Sequence, residues 1–204
     1  KCGQCVQVCP VNAIKKNAAG YAEINFDKCI SCGRCISACP FGTVNEISQI
    51  IDILKALKSG EKMVAMVAPS IVGQFPCSWG QIAEGLKKAG FYKIREVALG
   101  ADITALNEAE EFEHRMKKGD KFMTTSCCAA YKELVEKQVP ELVSYVSETQ
   151  TPLYYTAKLV KKENPEDLRV FIGPCLAKRN EGLKNPDVDY VMSFEEMGAL
   201  FIAM

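Results

Sequence analysis

A chain of 204 residues, 48% of them hydrophobic, can bury a core without disulfide staples and has room for one medium domain and a small one. Its 25 basic and 25 acidic residues cancel, leaving no overall electrostatic case for nucleic acid or an anionic membrane surface, and no apolar run reaches membrane-spanning length. Eleven cysteines in such a chain, with no secretory signal, point to a reducing compartment, read here as the cytoplasm, and to thiolates that bind metal.

Residues 1–45 carry seven of those cysteines. Cys29-Ile30-Ser31-Cys32-Gly33-Arg34-Cys35-Ile36-Ser37-Ala38-Cys39-Pro40 is a complete C-x2-C-x2-C-x3-C-P run, the spacing with which bacterial two-cluster ferredoxins hold iron-sulfur cubes. Earlier, Cys2-Gly3-Gln4-Cys5-Val6-Gln7-Val8-Cys9-Pro10 repeats the last three cysteines and the proline, so the chain opens inside a motif whose first cysteine would precede Cys2. Because the fourth cysteine of each run ligates the other cluster, one 4Fe-4S centre is expected on Cys29, Cys32, Cys35 and Cys9, and a second on Cys2, Cys5, Cys39 and a cysteine not in this sequence. A zinc site is the alternative, but zinc sites use paired C-x2-C without the third cysteine and trailing proline. Between the runs, Ala13 to Lys15 and Tyr21 to Ile24 flank Asn17 to Gly20 and read as a short hairpin.

From residue 46 the pattern becomes α/β. Ile47, Ile50, Ile51, Leu54 and Leu57 recur at helical spacing before Gly60, which predicts a helix over Glu46 to Ser59 joining the two domains. Met63 to Ala68 is a continuous apolar run ended by Pro69 and reads as a strand buried on both faces. Helices follow over Gln81 to Ala89 and Ile103 to Lys118. Strands are expected at Lys93 to Ala98 and Lys121 to Thr125, helices at Cys128 to Lys137 and Leu153 to Glu163, strands at Leu168 to Gly173 and Tyr190 to Ser193, and a helix from Phe194. This alternation predicts a largely parallel sheet, with ligands gathering at the carboxyl ends of its strands, where Pro69-Ser70, Ser126-Cys127-Cys128 and Pro174-Cys175 fall. The single histidine, His114, sits in the charged stretch Glu110 to Lys118 and reads as part of a solvated helix face. Taken alone, Cys127 and Cys128 are equally readable as two small buried hydrophobes.

The order of segments is more specific than any one of them. A ferredoxin unit, then Ala68-Pro69-Ser70, Thr125-Ser126-Cys127-Cys128 and Gly173-Pro174-Cys175-Leu176-Ala177-Lys178-Arg179-Asn180-Glu181, resembles the iron-only (FeFe) hydrogenases over essentially the whole chain. The second segment is similar to that family's T-S-C-C-P-x-W motif and the third to its M-P-C-x-x-K-x-x-E motif. The resemblance implies a small α+β ferredoxin-like domain over 1–45 and the N-terminal part of an α/β hydrogenase domain over 46–204. It implies two 4Fe-4S clusters and an H-cluster, in which a cube is joined to a diiron subsite with carbon monoxide, cyanide and a bridging dithiolate. Cys128 and Cys175 match cube ligands, Lys178 the lysine that meets a cyanide, and Cys127 the thiol that exchanges protons with the diiron bridge. Pro69 and Ser70 would line the cofactor. Glu108, Ser147, Glu111 and Arg115 align with the proton path. Independently, Glu108, Glu111 and Arg115 share one helix face by spacing, a pattern equally produced by a solvated face with a Glu111–Arg115 ion pair.

The implied activity is reversible conversion of protons and electrons to hydrogen, with ferredoxin or a similar carrier and dedicated maturation proteins as partners. Ala129 and Tyr131 stand where the motif has proline and tryptophan, and Gly173 where it has methionine. Cys77 matches no motif and reads as a buried or idle thiol. The family's third motif, with two further cysteines, would lie beyond Met204, so these 204 residues are expected to be part of a longer protein and not to assemble an H-cluster alone. A hydrogen sensor, a cube-only iron-sulfur assembly protein and a generic ferredoxin-fused carrier are the other readings. The last leaves Cys127, Cys175 and Lys178 unexplained.

Overall fold

The computed structural model describes all 204 residues. The cysteine-rich segment folds as two copies of one unit offset by thirty residues. Helix α1 (Gln4–Gln7) matches α2 (Arg34–Ser37), each entered through a left-handed glycine, Gly3 at φ 90° and Gly33 at φ 78°. Asn12 (φ 51°) matches Gly42 (φ 58°), the turn after each Cys-Pro. Strands β1 (Ile14–Lys16) and β2 (Ala22–Ile24) pair antiparallel with Ile14 opposite Ile24. Their turn is held by the Asn17 side chain, which accepts from the amides of Ala19 and Tyr21, a role suited to a short amide side chain.

The joining helix is shorter than its apolar spacing predicts. It runs over Ile50–Lys58 (α3), not from Glu46, and ends at Gly60, φ 82°. Residues 46–49 are drawn out because their side chains bond the next domain: Glu46 pairs with Arg179, Ser48 with Glu196, and Gln49 accepts from the Val191 amide.

The second domain is built on a four-stranded, all-parallel sheet in the order β4-β3-β5-β6, with β3 Met63–Val67, β4 Lys93–Glu96, β5 Leu168–Ile172 and β6 Tyr190–Met192. All five residues of β3 are buried, as a central strand covered on both faces requires. Its cover comes from α3, α4 (Trp79–Lys88), α7 (Pro152–Glu163) and α9 (Phe194–Ala203), whose Ile53, Leu86, Ala157 and Met197 enter one continuous apolar core. Ser78 and Ser193 start α4 and α9 with reciprocal capping boxes to Gln81 and Glu196.

Two expected elements change. The long helix α5 spans Ala98–Lys118 and begins five residues before the expected start, because Gly100 lets it lie directly on α7: a Cβ there would meet the Pro152 carbonyl oxygen at 2.1 Å. Lys121 to Thr125 is not a sheet strand. It is extended, but its ladder is a single parallel bridge, Thr124 to Val146, reinforced by Phe122 stacked on Tyr145 at 4.3 Å. Helices α6 (Ala129–Gln138) and α8 (Leu176–Lys184) complete the domain together with the 3-10 turns Pro69–Ile71 and Pro140–Tyr145; α8 was not expected from periodicity. Its nine residues carry a strongly polar composition, so no apolar stripe announces it.

Candidate functional site

The seven N-terminal cysteines divide between two cavities. Cys9, Cys29, Cys32 and Cys35 line one of about 30 Å³ together with Ile14, Ile24 and Ile30. Cys2, Cys5 and Cys39 line another of about 580 Å³ bordered by Tyr21, Phe41 and Thr43. No three His, Cys, Asp or Glu side chains converge on one ion-sized point; the thiols ring a space instead. Soft thiolates spread around a cavity suit a polynuclear iron-sulfur group, whose irons each take one ligand, so the four thiols of the first cage fit a cube and the three of the second supply three of the four ligands a cube takes. Burial and the neighbouring Cys29 push the Cys35 thiol up, whereas the Thr43 hydroxyl, 3.3 Å away, and nearby amides draw Cys39 down to about 7.

The sheet order places a second site. After β3 the chain moves outward to β4, and after β5 it moves outward the other way to β6, so the crevice between the carboxyl ends of β3 and β5 is the topological switch point. Pro69-Ser70 leaves one strand there and Pro174-Cys175 the other. A Cβ built on Gly173 would come 3.3 Å from the Ala68 Cβ. Cys175 is the N-cap of α8 and Cys128 the N-cap of α6, and these two helices pack together. Both thiols are exposed and Cys127 is half-buried, so the adjacent pair is not a pair of buried hydrophobes. Cys77 is exposed as well, which leaves the idle one of its two readings: it sits in the loop before the Ser78 cap, outside the core. Pro69 and Ser70 are likewise exposed.

Lys178 is only 14% exposed along its side chain and its ammonium lies 2.6 Å from Glu181, the two separated by one turn of α8. Glu181 is bonded in turn by the Thr151 hydroxyl that caps α7. Glu181, itself held by Thr151, thus fixes this lysine's aim.

Glu108, Glu111 and Arg115 do share a face of α5, and that face is covered rather than solvated. Glu108 receives the Thr125 hydroxyl (2.8 Å) and the Ser126 amide (2.9 Å) from the residues just before Cys127. Glu111 receives Ser147 Oγ (2.5 Å), the Glu148 amide (3.0 Å) and Thr149 Oγ1 (3.1 Å), and pairs with Arg115 at 2.6 Å. Burial pushes the Glu111 carboxyl up, but the hydroxyl, amide and guanidinium donors outweigh it and hold the group below its ordinary range. Arg115 also donates to the carbonyls of Ser144 and Val146. His114 is exposed.

Ser147 reaches Glu111 but not Glu108. The two carboxylates are joined instead through Ser126, whose buried hydroxyl donates to the Thr149 carbonyl (2.5 Å) and lies 3.2 Å from Glu108. Sequence reasoning passed over Thr125, Ser126 and Thr149 as partners. Ser126 stands in a quoted motif, whereas Thr149 lies in a loop with no periodicity to flag it. Tyr131, in the place of the motif's tryptophan, donates its phenol to Thr124 Oγ1 at 2.8 Å and so braces the segment leading to the cysteines.

Comparison with known proteins follows this division of the chain. Residues 61–204 match the family model for the iron only hydrogenase large subunit, C-terminal domain, and residues 1–43 match a 4Fe-4S dicluster domain. The chain is 29% identical to the NADP-reducing hydrogenase subunit HndD of Solidesulfovibrio fructosivorans, over 98% of this chain and 34% of that protein. It is 31% identical to the periplasmic [Fe] hydrogenase large subunit of Nitratidesulfovibrio vulgaris, over 67% and 38%, and 29% identical to iron hydrogenase 1 of Clostridium pasteurianum, over 98% and 42%. A solved [FeFe]-hydrogenase, from work on oxygen inactivation at the H cluster 2Fe subcluster, superposes with a TM-score of 0.68 at 25% identity, covering 77% of this chain and 48% of that one. The chain therefore spans between 34% and 42% of the length of these curated relatives.

Proposed function

The chain belongs to the iron-only hydrogenase large-subunit family, and from that membership we propose that it is the electron-input and partial active-site portion of an enzyme interconverting protons, electrons and hydrogen. The H-cluster, when bound, supplies the hydrogen chemistry itself. The chain's residues hold it, feed it electrons and move protons. The observation that carries the electron-input role is the packing of Gly33, between two cage cysteines, on Leu176, the residue after Cys175: a Cβ at Gly33 would lie 2.3 Å from Leu176 Cδ1. With clusters bound, Cys2, Cys5 and Cys39 would hold the one that takes electrons from a soluble carrier such as ferredoxin, and Cys9, Cys29, Cys32 and Cys35 the one that would pass them on beside Cys175.

Cys128 and Cys175 are assigned as cube ligands and Lys178 as the donor to an anionic ligand, a compact ammonium fixed by Glu181. Pro69 and Ser70 line the crevice. Cys127 hands protons to Glu108 through the Thr125–Ser126 turn. Glu111, Ser147 and Arg115 are assigned to the outer part of that path, with Ser147 giving its proton to Glu111; Ser126 and Thr149 brace the two carboxylates by hydrogen bonds without relaying a proton, since the Thr149 carbonyl only accepts. No helix is long and apolar enough to cross a membrane. Eleven cysteines without a disulfide favour the cytoplasm, although one relative is periplasmic.

The test is an infrared spectrum of the full-length protein, matured anaerobically with hydrogenase maturation proteins and recorded under argon and then hydrogen. Carbon monoxide and cyanide bands that shift with hydrogen support the proposal. Their absence, with iron loading verified and a known hydrogenase maturing in parallel, leaves a cube-only iron-sulfur protein.

A further inference from the structure

One side chain of the second domain reaches into the first at a cage cysteine. Lys137, in the last turn of α6, donates its ammonium to the Cys29 carbonyl at 2.6 Å and to the Phe26 carbonyl at 3.3 Å. Glu133, one turn earlier on α6, lies 3.3 Å from that ammonium and 3.5 Å from the hydroxyl of Ser31, two residues after Cys29. Asn180 on α8 donates to the same hydroxyl at 2.5 Å, and Ser31 is held at φ 55°, a left-handed conformation that a non-glycine residue rarely takes without such partners. The Lys137 and Glu133 side chains are 27% and 16% exposed, so water and salt do not fully screen them.

We propose that Lys137 and Glu133 form an opposed-charge pair that sets the reduction potential of the cluster in the Cys9/Cys29/Cys32/Cys35 cage. This rests on the reading that those four thiolates hold a 4Fe-4S cube. Reduction adds one electron and no proton, so the cluster gains a unit of negative charge. An ammonium on the Cys29 backbone stabilises that charge and raises the potential; a carboxylate beside Ser31 opposes it and lowers the potential. The pair reaches the cage from α6, the helix capped at its other end by Cys128. It is a tuning device on the electron path, separate from the thiolates that hold the metal.

The experiment is an EPR-monitored redox titration of the anaerobically iron- and sulfide-loaded protein, with dithionite as electron donor, for the parent, Lys137→Met, Glu133→Gln and Lys137→Arg. The expected result is a downward shift for Lys137→Met, an upward shift for Glu133→Gln and no shift for Lys137→Arg. Opposite signs separate an electrostatic role from mere loosening of the interface, which moves both variants the same way. Shifts of the same sign, or none, overturn the proposal. If Lys137→Met fails to retain iron, Glu133→Gln decides alone, and a potential that does not rise overturns it. A parent with no reduced-cube signal overturns the cage assignment itself, an outcome distinct from a cube whose potential ignores the pair.

Discussion

Gly173 shows how one residue reorganises its surroundings. It follows β5 at the switch point, where the motif it resembles carries methionine, and a Cβ there would meet Phe171 Cζ at 2.6 Å. Phe171, two positions earlier and so on the same face of the strand, is buried. Gly173→Met is therefore expected to destabilise the protein by about 1–3 kcal/mol through overpacking, read as a lower urea midpoint, and Phe171→Val in the same chain to recover part of that loss. Glu111 gives a prediction with a pH signature. Its folded pKa lies below the ordinary 4.5, so its contribution is complete at neutral pH and disappears as pH falls through the folded value. Glu111→Gln should cost about 2 kcal/mol at neutral pH, since hydrogen bonds to a charged group are lost. The gap from the parent should close on acidification below 4.5, and a gap constant with pH would remove the carboxylate from this account. The thiol spacings and the shared face of Glu108, Glu111 and Arg115 were legible because each follows from local periodicity. The Ser126–Thr149 link was not, because it joins two segments that nothing in the chain's local pattern brings together.

At the scale of elements, all four strands of the parallel sheet were expected from the sequence, although neither β4 nor β5 is a continuous apolar run. The expected Met63 to Ala68, Leu168 to Gly173 and Tyr190 to Ser193 each lie within a residue of the observed bounds. The misreadings share a cause. Residues 46–49 carry helical spacing but commit their side chains to Arg179, Glu196 and Val191, and Lys121 to Thr125 has strand composition but forms only one bridge, to Val146. In both, tertiary partners override local preference. The early start of α5 makes the same point through Gly100. The Pro152 carbonyl is backbone inside a packed helix pair and does not yield to a methyl group 2.1 Å away. Gly100→Ala should thus destabilise by about 2 kcal/mol despite alanine's better helix propensity, with urea unfolding as the measurement. A stabilised variant would mean that α5 and α7 are not in such close contact.

Across the whole molecule, the connection between the two domains is fastened to the second by a buried charge cluster. Arg179, immediately after Lys178 on α8, is 6% exposed along its side chain; it pairs with Glu46 of the connection at 3.0 Å and Glu196 of α9 at 2.8 Å, and donates to the Val191 carbonyl at 2.9 Å. One guanidinium therefore fixes the chain entering the second domain, the edge strand β6 and the helix that begins at Cys175. Replacing it removes the positive member and leaves two carboxylates facing each other out of water, so Arg179→Met should cost about 3–5 kcal/mol. The pH dependence follows from Glu196: burial raises its carboxyl, but the Ser48 hydroxyl, the Ser193 amide and Arg179 together hold it below the ordinary 4.5. That stabilisation is present at neutral pH and lost as pH falls through the folded value, so parent and variant should converge in acid. The connection should also become open to limited proteolysis between Glu46 and Gln49 in the variant and resist it in the parent, because Glu46 is tied down only through Arg179. Equal resistance in both would show that the extended connection is fixed by Ser48 and Gln49 alone, and that the orientation of the cysteine cages toward α8 does not depend on the guanidinium.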